Sequence, residues 1–161
     1  TATWHGYRVP AAHEYHLSLQ KVLACAEAAG GPKHRFRAVQ FPLNLGLPEG
    51  LAHLTQVRKD GRPASAVEAA HEAGLAVFTS VPLMQGQLLG RFPPDMKQKF
   101  PGLKTDAQRC LQFVRSVPGV TAPLAGMKQL EHVEENAALV PTAPFTGEEF
   151  QTLWGPKQGT S

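Results

Sequence analysis

Residues 65–81 read SAVEAAHEAGLAVFTSV, and this stretch decides the fold class. Ser65-x-x-Glu68 has the form of a capping box, in which each side chain satisfies a free backbone N–H of a helix's first turn. Gly74 supplies the left-handed residue that ends such a helix, so a helix is predicted over about 66–73. Residues 75–81 follow as a nearly continuous apolar run, the pattern of a strand buried on both faces of a parallel sheet, and Pro82 closes it.

Outward from this unit the same alternation repeats. Upstream, residues 17–29 place Leu19, Val22, Leu23 and Ala26 on one helical face before Gly30-Gly31-Pro32, and residues 37–41 (RAVQF) read as a short strand. Pro42 and Pro48 then bracket a loop containing Asn44. Downstream, Thr105-x-x-Gln108 opens another helix, residues 120–124 read as a strand, and a helix is expected over about 130–139. Thr146-x-x-Glu149 opens the last helix, which Trp154 is expected to pack onto the body. With residues 1–4 as the remainder of a first strand, the chain holds roughly four strand–helix units, hence an α/β fold of parallel strands joined by right-handed crossovers. Periodicity alone leaves open whether these units form a small open sheet or half of a TIM-type (βα)8 barrel.

The 161 residues, 42% hydrophobic, suffice for the core of one domain, and we read 1–161 as a single one. The 14 prolines and 15 glycines are spread between apolar segments, as many short connections require. No apolar run approaches the roughly 18 residues that span a bilayer, so no membrane association is expected. The net charge of +3 is scattered, and the one dense basic stretch, residues 33–37 (KHRFR), reads as a solvated turn instead of a nucleic-acid surface. Cys25 and Cys110 lie far apart in helical segments and form no CxxC pair, so buried, reduced thiols and a cytoplasmic setting are expected. His13-x-x-His16 would put two imidazoles on one helical face, but no third ligand accompanies them and no metal site is assigned. Acyl-hydrolase elbows, phosphate loops and dinucleotide GxGxxG motifs are absent from the sequence.

Three stretches resemble the aldo-keto reductase superfamily, and together they extend over nearly the whole chain. Residues 113–136 (FVRSVPGVTAPLAGMKQLEHVEEN) are similar to the family's last strand and following helix, with a Pro-Gly entry and a closing Glu-Asn pair. Residues 73–88 (AGLAVFTSVPLMQGQL) resemble its seventh strand and Pro-Leu-x-x-Gly-x-Leu continuation, and residues 40–44 (QFPLN) its sixth, by which residues 2–4 (ATW) would then be the end of the fifth. The resemblance implies the C-terminal half of a (βα)8 barrel and an NADPH-dependent reduction of small aldehydes or ketones. By the same mapping the cofactor would be held by Thr3, Gln40, Leu83, Gly86, Gly126, Lys128, Glu135 and Asn136. Gln40 would meet the nicotinamide carboxamide, the loop at Leu83 and Gly86 the pyrophosphate, Lys128 a 2′-phosphate, and Glu135 with Asn136 the adenine. Each also has an ordinary structural reading: an interior hydrogen bond for Gln40, turn glycines, a solvated lysine, a helix end.

The chain departs from the family pattern at three places. It has Ala2-Thr3 in place of a Ser-Asn pair, Thr79-Ser80 in place of an aromatic, and His132 in place of an arginine on the last helix, which leaves NADH open beside NADPH. The family's tyrosine, lysine, aspartate and histidine come from its first four strands, and no equivalent set is found here, so no catalytic residue is assigned. Four units alone would leave strand edges unpaired, so a second copy or an N-terminal half is expected as partner. The other reading is a non-catalytic half-barrel module for assembly or for binding a phosphorylated ligand.

Overall fold

The computed structural model describes residues 1–155, and the end of the chain assigned to the single domain, 156–161, lies outside them. In chain order the elements are α1 (Leu19–Gly30), β1 (Ala38–Pro42), α2 (Glu49–Ala52), β2 (Gln56–Val57), β3 (Pro63–Ala64), α3 (Ala66–Glu72) and β4 (Ala76–Ser80). There follow α4 (Pro94–Gln98), α5 (Asp106–Arg115), β5 (Ala122–Pro123), α6 (Leu130–Ala137) and α7 (Gly147–Trp154). Capping boxes start α3 at Ser65, α5 at Thr105 and α7 at Thr146, each with its reciprocal Glu or Gln, so these three helix starts are fixed by local hydrogen bonds alone.

The main sheet has the order β1-β4-β5 with every pair parallel, and Ala2 bridges Gln40 in parallel at the outer edge of β1. Sequential strands lying side by side, each followed by a helical crossover, are the arrangement of a (βα) barrel wall. Register partners share a face, so Val39 and Val77, then Phe41 and Thr79, point one way and are buried. On the opposite face Ala2, Gln40, Phe78 and Ala122 form one row that is less covered.

Two expected strands are shorter than the sequence reading. The segment at residues 1–4 contributes one bridge instead of a strand. At the other edge the β5 ladder is reduced because Pro123 has no N–H and the Thr121 hydroxyl, not a carbonyl, accepts from Val77 N at 3.0 Å. Thr121 N and Leu124 N still donate to Val77 O and Thr79 O, both at 2.8 Å, so the pairing runs on around the two strand residues. The β2–β3 hairpin was not anticipated, although its Asp60-Gly61 turn, with Gly61 at φ 83°, carries the usual signal.

An aromatic cluster joins the C-terminal helices. Phe113 meets Trp154 edge-on at 4.9 Å and Phe150 at 5.6 Å, while Phe100 lies 5.7 Å from Trp154, which fixes α7 on α5 as expected. Between them, buried polar groups of α5 hold irregular chain. Gln112 Nε2 donates to Ala143 O at 2.8 Å, and the Arg115 guanidinium donates to the carbonyls of Leu139 and Thr142. The outer side of α6 is uncovered: Met127, Leu130, Val133 and Val140 form an exposed apolar row along it and its flanks, with Leu130 67% and Val140 76% exposed.

Cys110 is buried in α5, but Cys25 is exposed, because α1 turns the face of Leu19 and Leu23 inward and leaves residue 25 outside. Burial, assisted by the negative charge of Asp106, pushes the Cys110 thiol up to about 12. A raised pKa keeps this group a thiol throughout the neutral range, so thiol reagents at about pH 8 are expected to label Cys25 in the folded chain and Cys110 only after denaturation. Mass spectrometry with a native and a denatured labelling step checks this, and native labelling of Cys110 would contradict the packing of α5.

The segment holding His13 and His16 is a pair of turns, not a helix, with His13 N donating to Pro10 O and His16 N to His13 O. The rings of His5, His13 and Tyr15 stack on one another at 5.5–6.4 Å. Among the described residues no helix is long and apolar enough to cross a membrane.

Candidate functional site

At the C-terminal ends of β4 and β5 the chain leaves the sheet in two loops, and α6 runs past both. Between them lies a cleft of about 420 Å³, within the size range of small-molecule sites. Its lining is mostly apolar, with Glu135, Asn136, His132 and Gln85 as the polar side chains.

The first wall is the loop after β4, and its backbone is unusual. Val81, Met84 and Gln85 all have positive φ, at 50°, 49° and 54°, and Gly86 follows at 84°. Only glycine enters this region without steric cost, and a β-branched residue there is an outlier, so such a turn stores on the order of 1–3 kcal/mol per residue. The turn is closed by Met84 N donating to Val81 O at 2.8 Å and Gly86 N to Leu83 O at 2.9 Å.

The second wall is the loop after β5 and the face of α6 that carries His132, Glu135 and Asn136. Gly126 has nothing within 4 Å of where a Cβ would stand, so its backbone is open to approach. Gln129 opens α6 without a side-chain cap, in contrast to Ser18, Ser65, Thr105 and Thr146 at the starts of α1, α3, α5 and α7. His132 N and Val133 N donate to Gln129 O at 3.1 and 3.3 Å, which leaves Leu130 N and Glu131 N as the uncapped donors of the first turn, outside the cleft lining. On the third side Gln108 Nε2 donates to Glu135 O at 3.0 Å and ties α6 to α5. The Asn136 Oδ1 is buried with no hydrogen-bond partner among the described residues.

Of the residues assigned from the sequence, Leu83, Gly86, Gly126, Glu135 and Asn136 all line this cleft. The other three stand elsewhere. Thr3 uses its hydroxyl to accept from Gly6 N at 3.0 Å, Gln40 lies in the less covered row of the sheet with Ala2 and Phe78, and Lys128 is exposed on the loop before α6. The cleft also takes in Val81, Gln85 and Leu89, which sequence reasoning did not single out. No sequence signal marks them, since a left-handed backbone at valine or glutamine follows from tertiary contacts. Neither tyrosine lines the cleft: Tyr7 packs its ring edge-on against Phe41 at 6.2 Å, and Tyr15 belongs to the histidine stack. Burial pushes the Tyr7 phenol up, opposed in part by the neighbouring Thr1.

A parallel strand–helix wall with a cleft at the carboxyl ends of its later strands defines the class of fold: half of a (βα)8 barrel of the kind found in aldo-keto reductases. Solved structures give the particular likenesses. A thermostable aldo-keto reductase in complex with the inhibitor epalrestat superposes with a TM-score of 0.53 at 18% identity, covering 85% of this chain and 46% of that one. An aldo-keto reductase from Bacillus halodurans superposes in its holo form with a TM-score of 0.51 at 17% identity, covering 84% of this chain and 46% of that one. Its apo form gives 0.52 at 18% identity, with 85% and 48% covered. The chain therefore spans about half the length of the structures it resembles, and at these identities the likeness is one of fold. No sequence-family model matches the chain, and no curated protein matches it by sequence.

Proposed function

We propose that the cleft between β4, β5 and α6 holds a reduced nicotinamide dinucleotide, NADPH or NADH, and that the chain is the cofactor half of a reductase of small aldehydes or ketones. The observation that carries this reading is the Asn136 side chain of the lining, whose Oδ1 is buried without a hydrogen-bond partner among the described residues and so offers an acceptor for an amine, together with the open backbone of Gly126 in the same lining. When bound, such a cofactor supplies a hydride. The chain's own residues bind and orient: backbone N–H groups around Leu83 and Gly86 meet the pyrophosphate, and Gly126 lets it approach. Glu135 and Asn136 meet the adenine, and Gln40 and Thr3, which stand outside the cleft lining, are assigned to the nicotinamide. Lys128 is assigned to a 2′-phosphate.

Carbonyl reduction develops negative charge on oxygen and needs a positioned proton donor. We assign that donor to a complementary half-barrel, in the same polypeptide or on another, and expect the 161-residue chain alone to be inactive. A cytoplasmic setting belongs to the same proposal and is supported by the two free cysteines.

Titration with NADPH and NADH, read by nucleotide fluorescence, tests the reading. Asn136→Leu is expected to weaken binding by about tenfold while leaving the melting temperature unchanged or higher, because it removes an unpaired buried acceptor. Absence of saturable binding at millimolar nucleotide, or unchanged affinity in Asn136→Leu, would count against it.

The open edge of β5 and the apolar row on α6 favour a second reading, a non-catalytic half-barrel that serves assembly or binds a phosphorylated ligand. A stable dimer by native mass that binds no dinucleotide would favour this alternative.

A further inference from the structure

The loop after β1 lies behind the strained turn of the cleft and contributes no residue to the lining. Its anchor is Asn44, which is 0% exposed and uses both ends of its amide. Its Oδ1 accepts from Gly46 N at 2.8 Å, and its backbone closes on Leu47 in both directions at 3.1 and 3.3 Å, so the loop is held by its own hydrogen bonds. Its Nδ2 reaches across to donate to Val81 O at 2.9 Å. Two residues on, Gly46 presses against the same turn: a Cβ there would stand 2.9 Å from Met84 Sδ. A rigid loop thus touches the turn at the first two of its three positive-φ side chains, Val81 and Met84.

A left-handed valine persists only where its surroundings over-determine it, and among the described residues Asn44 is the one side chain that bonds its carbonyl. We infer that Asn44 is a positioning residue for the cleft: through Val81 it holds the loop of Leu83 and Gly86 in its ligand-ready form, and so sets the affinity of a site it does not touch. The inference rests on the dinucleotide reading for the identity of the ligand, but the latch itself has a readout that needs none. Without the amide, Val81 relaxes toward negative φ, the Met84 N–H loses its alignment to Val81 O, and the fraction of molecules with a formed cleft falls. Apparent affinity falls by the same factor.

The test combines Asn44→Ala with Val81→Gly, since glycine adopts positive φ without strain and removes the need for the latch. Titration with NADPH and NADH is expected to give a roughly tenfold or greater loss of affinity in Asn44→Ala, and to return the double variant to within about threefold of Val81→Gly alone. Amide hydrogen exchange of the unliganded chain is expected to speed up at Met84 and Gly86 in Asn44→Ala and to leave the α3 amides of Ala69 and Ala70 protected, which separates release of the latch from loss of the fold. A double variant as weak as Asn44→Ala, or unchanged exchange at Met84 and Gly86, overturns the latch. Faster exchange in a chain that binds neither nucleotide overturns the dinucleotide reading and the affinity role, and leaves the latch standing.

Discussion

Replacing Phe41 by alanine is expected to lower the unfolding free energy by about 3–5 kcal/mol, the range for deleting a fully enclosed phenyl ring. Phe41 is 0% exposed near the end of β1, with Tyr7 meeting its ring edge-on and the backbone of Gly50 beneath it, where an added Cβ would come within 2.8 Å of the ring. These neighbours have little freedom to collapse into the space. Arg8 carries Tyr7's loop through an ion pair to Glu49 at 2.6 Å and a bond from Nε to Trp4 O at 2.9 Å, and Thr55 Oγ1 donates to Tyr7 O at 2.6 Å. A cavity that its lining cannot fill costs the lost contacts as well as the transfer energy. Urea unfolding checks this, and a midpoint that falls with an unchanged slope would locate the loss in the native state. A loss under about 1 kcal/mol would mean that the loop of residues 4–8 follows the ring inward.

The second large effect is expected at Gly119, in the turn that enters β5. It has φ 94°, and a Cβ there would stand 3.0 Å from the His71 Cβ and 3.1 Å from the Val67 Cγ1 of α3. Gly119→Ala therefore combines a backbone penalty of about 1–2 kcal/mol with overpacking against a helix whose Val67 is fully buried, for a total of about 2–4 kcal/mol. Gly61→Ala is the control, since that glycine has φ 83° and open space around its Cβ. The difference between the two melting curves isolates the packing part, and equal losses would show that α3 yields to the methyl group.

What could be read in advance follows the range of the interactions. Ser65 with Glu68, Thr105 with Gln108 and Thr146 with Glu149 settle their helix starts within four residues, so these starts were legible. The existence of β4 was likewise legible from its run of apolar residues, but its burial was not: burial on both faces was expected, and only the face of Val77 and Thr79 is fully buried while the row of Phe78 is less covered. The cleft was legible where it uses glycines and the Glu135-Asn136 pair, because those positions carry a recognisable pattern. It was not legible at Val81, Met84 and Gln85, whose left-handed backbone lies among contacts distant in sequence, the bond from Asn44 to Val81 O across 37 residues and the approach of Gly46 to Met84. Nor does spacing tell that Cys25 faces outward or that Lys128 stands clear of the lining, since both depend on how a helix or loop is rotated against its neighbours.

The uncovered row along α6, beside an open strand edge, also makes this surface sensitive to the solvent. Contact between apolar groups strengthens as water is warmed from the cold, and sulfate or phosphate strengthens it further by being excluded from the protein surface. Leu130, Val133 and Val140 are thus positions where lyotropic salts act, favouring the removal of this face from water more than cold, dilute buffer does. Urea at low concentration acts in the opposite sense on the same three side chains.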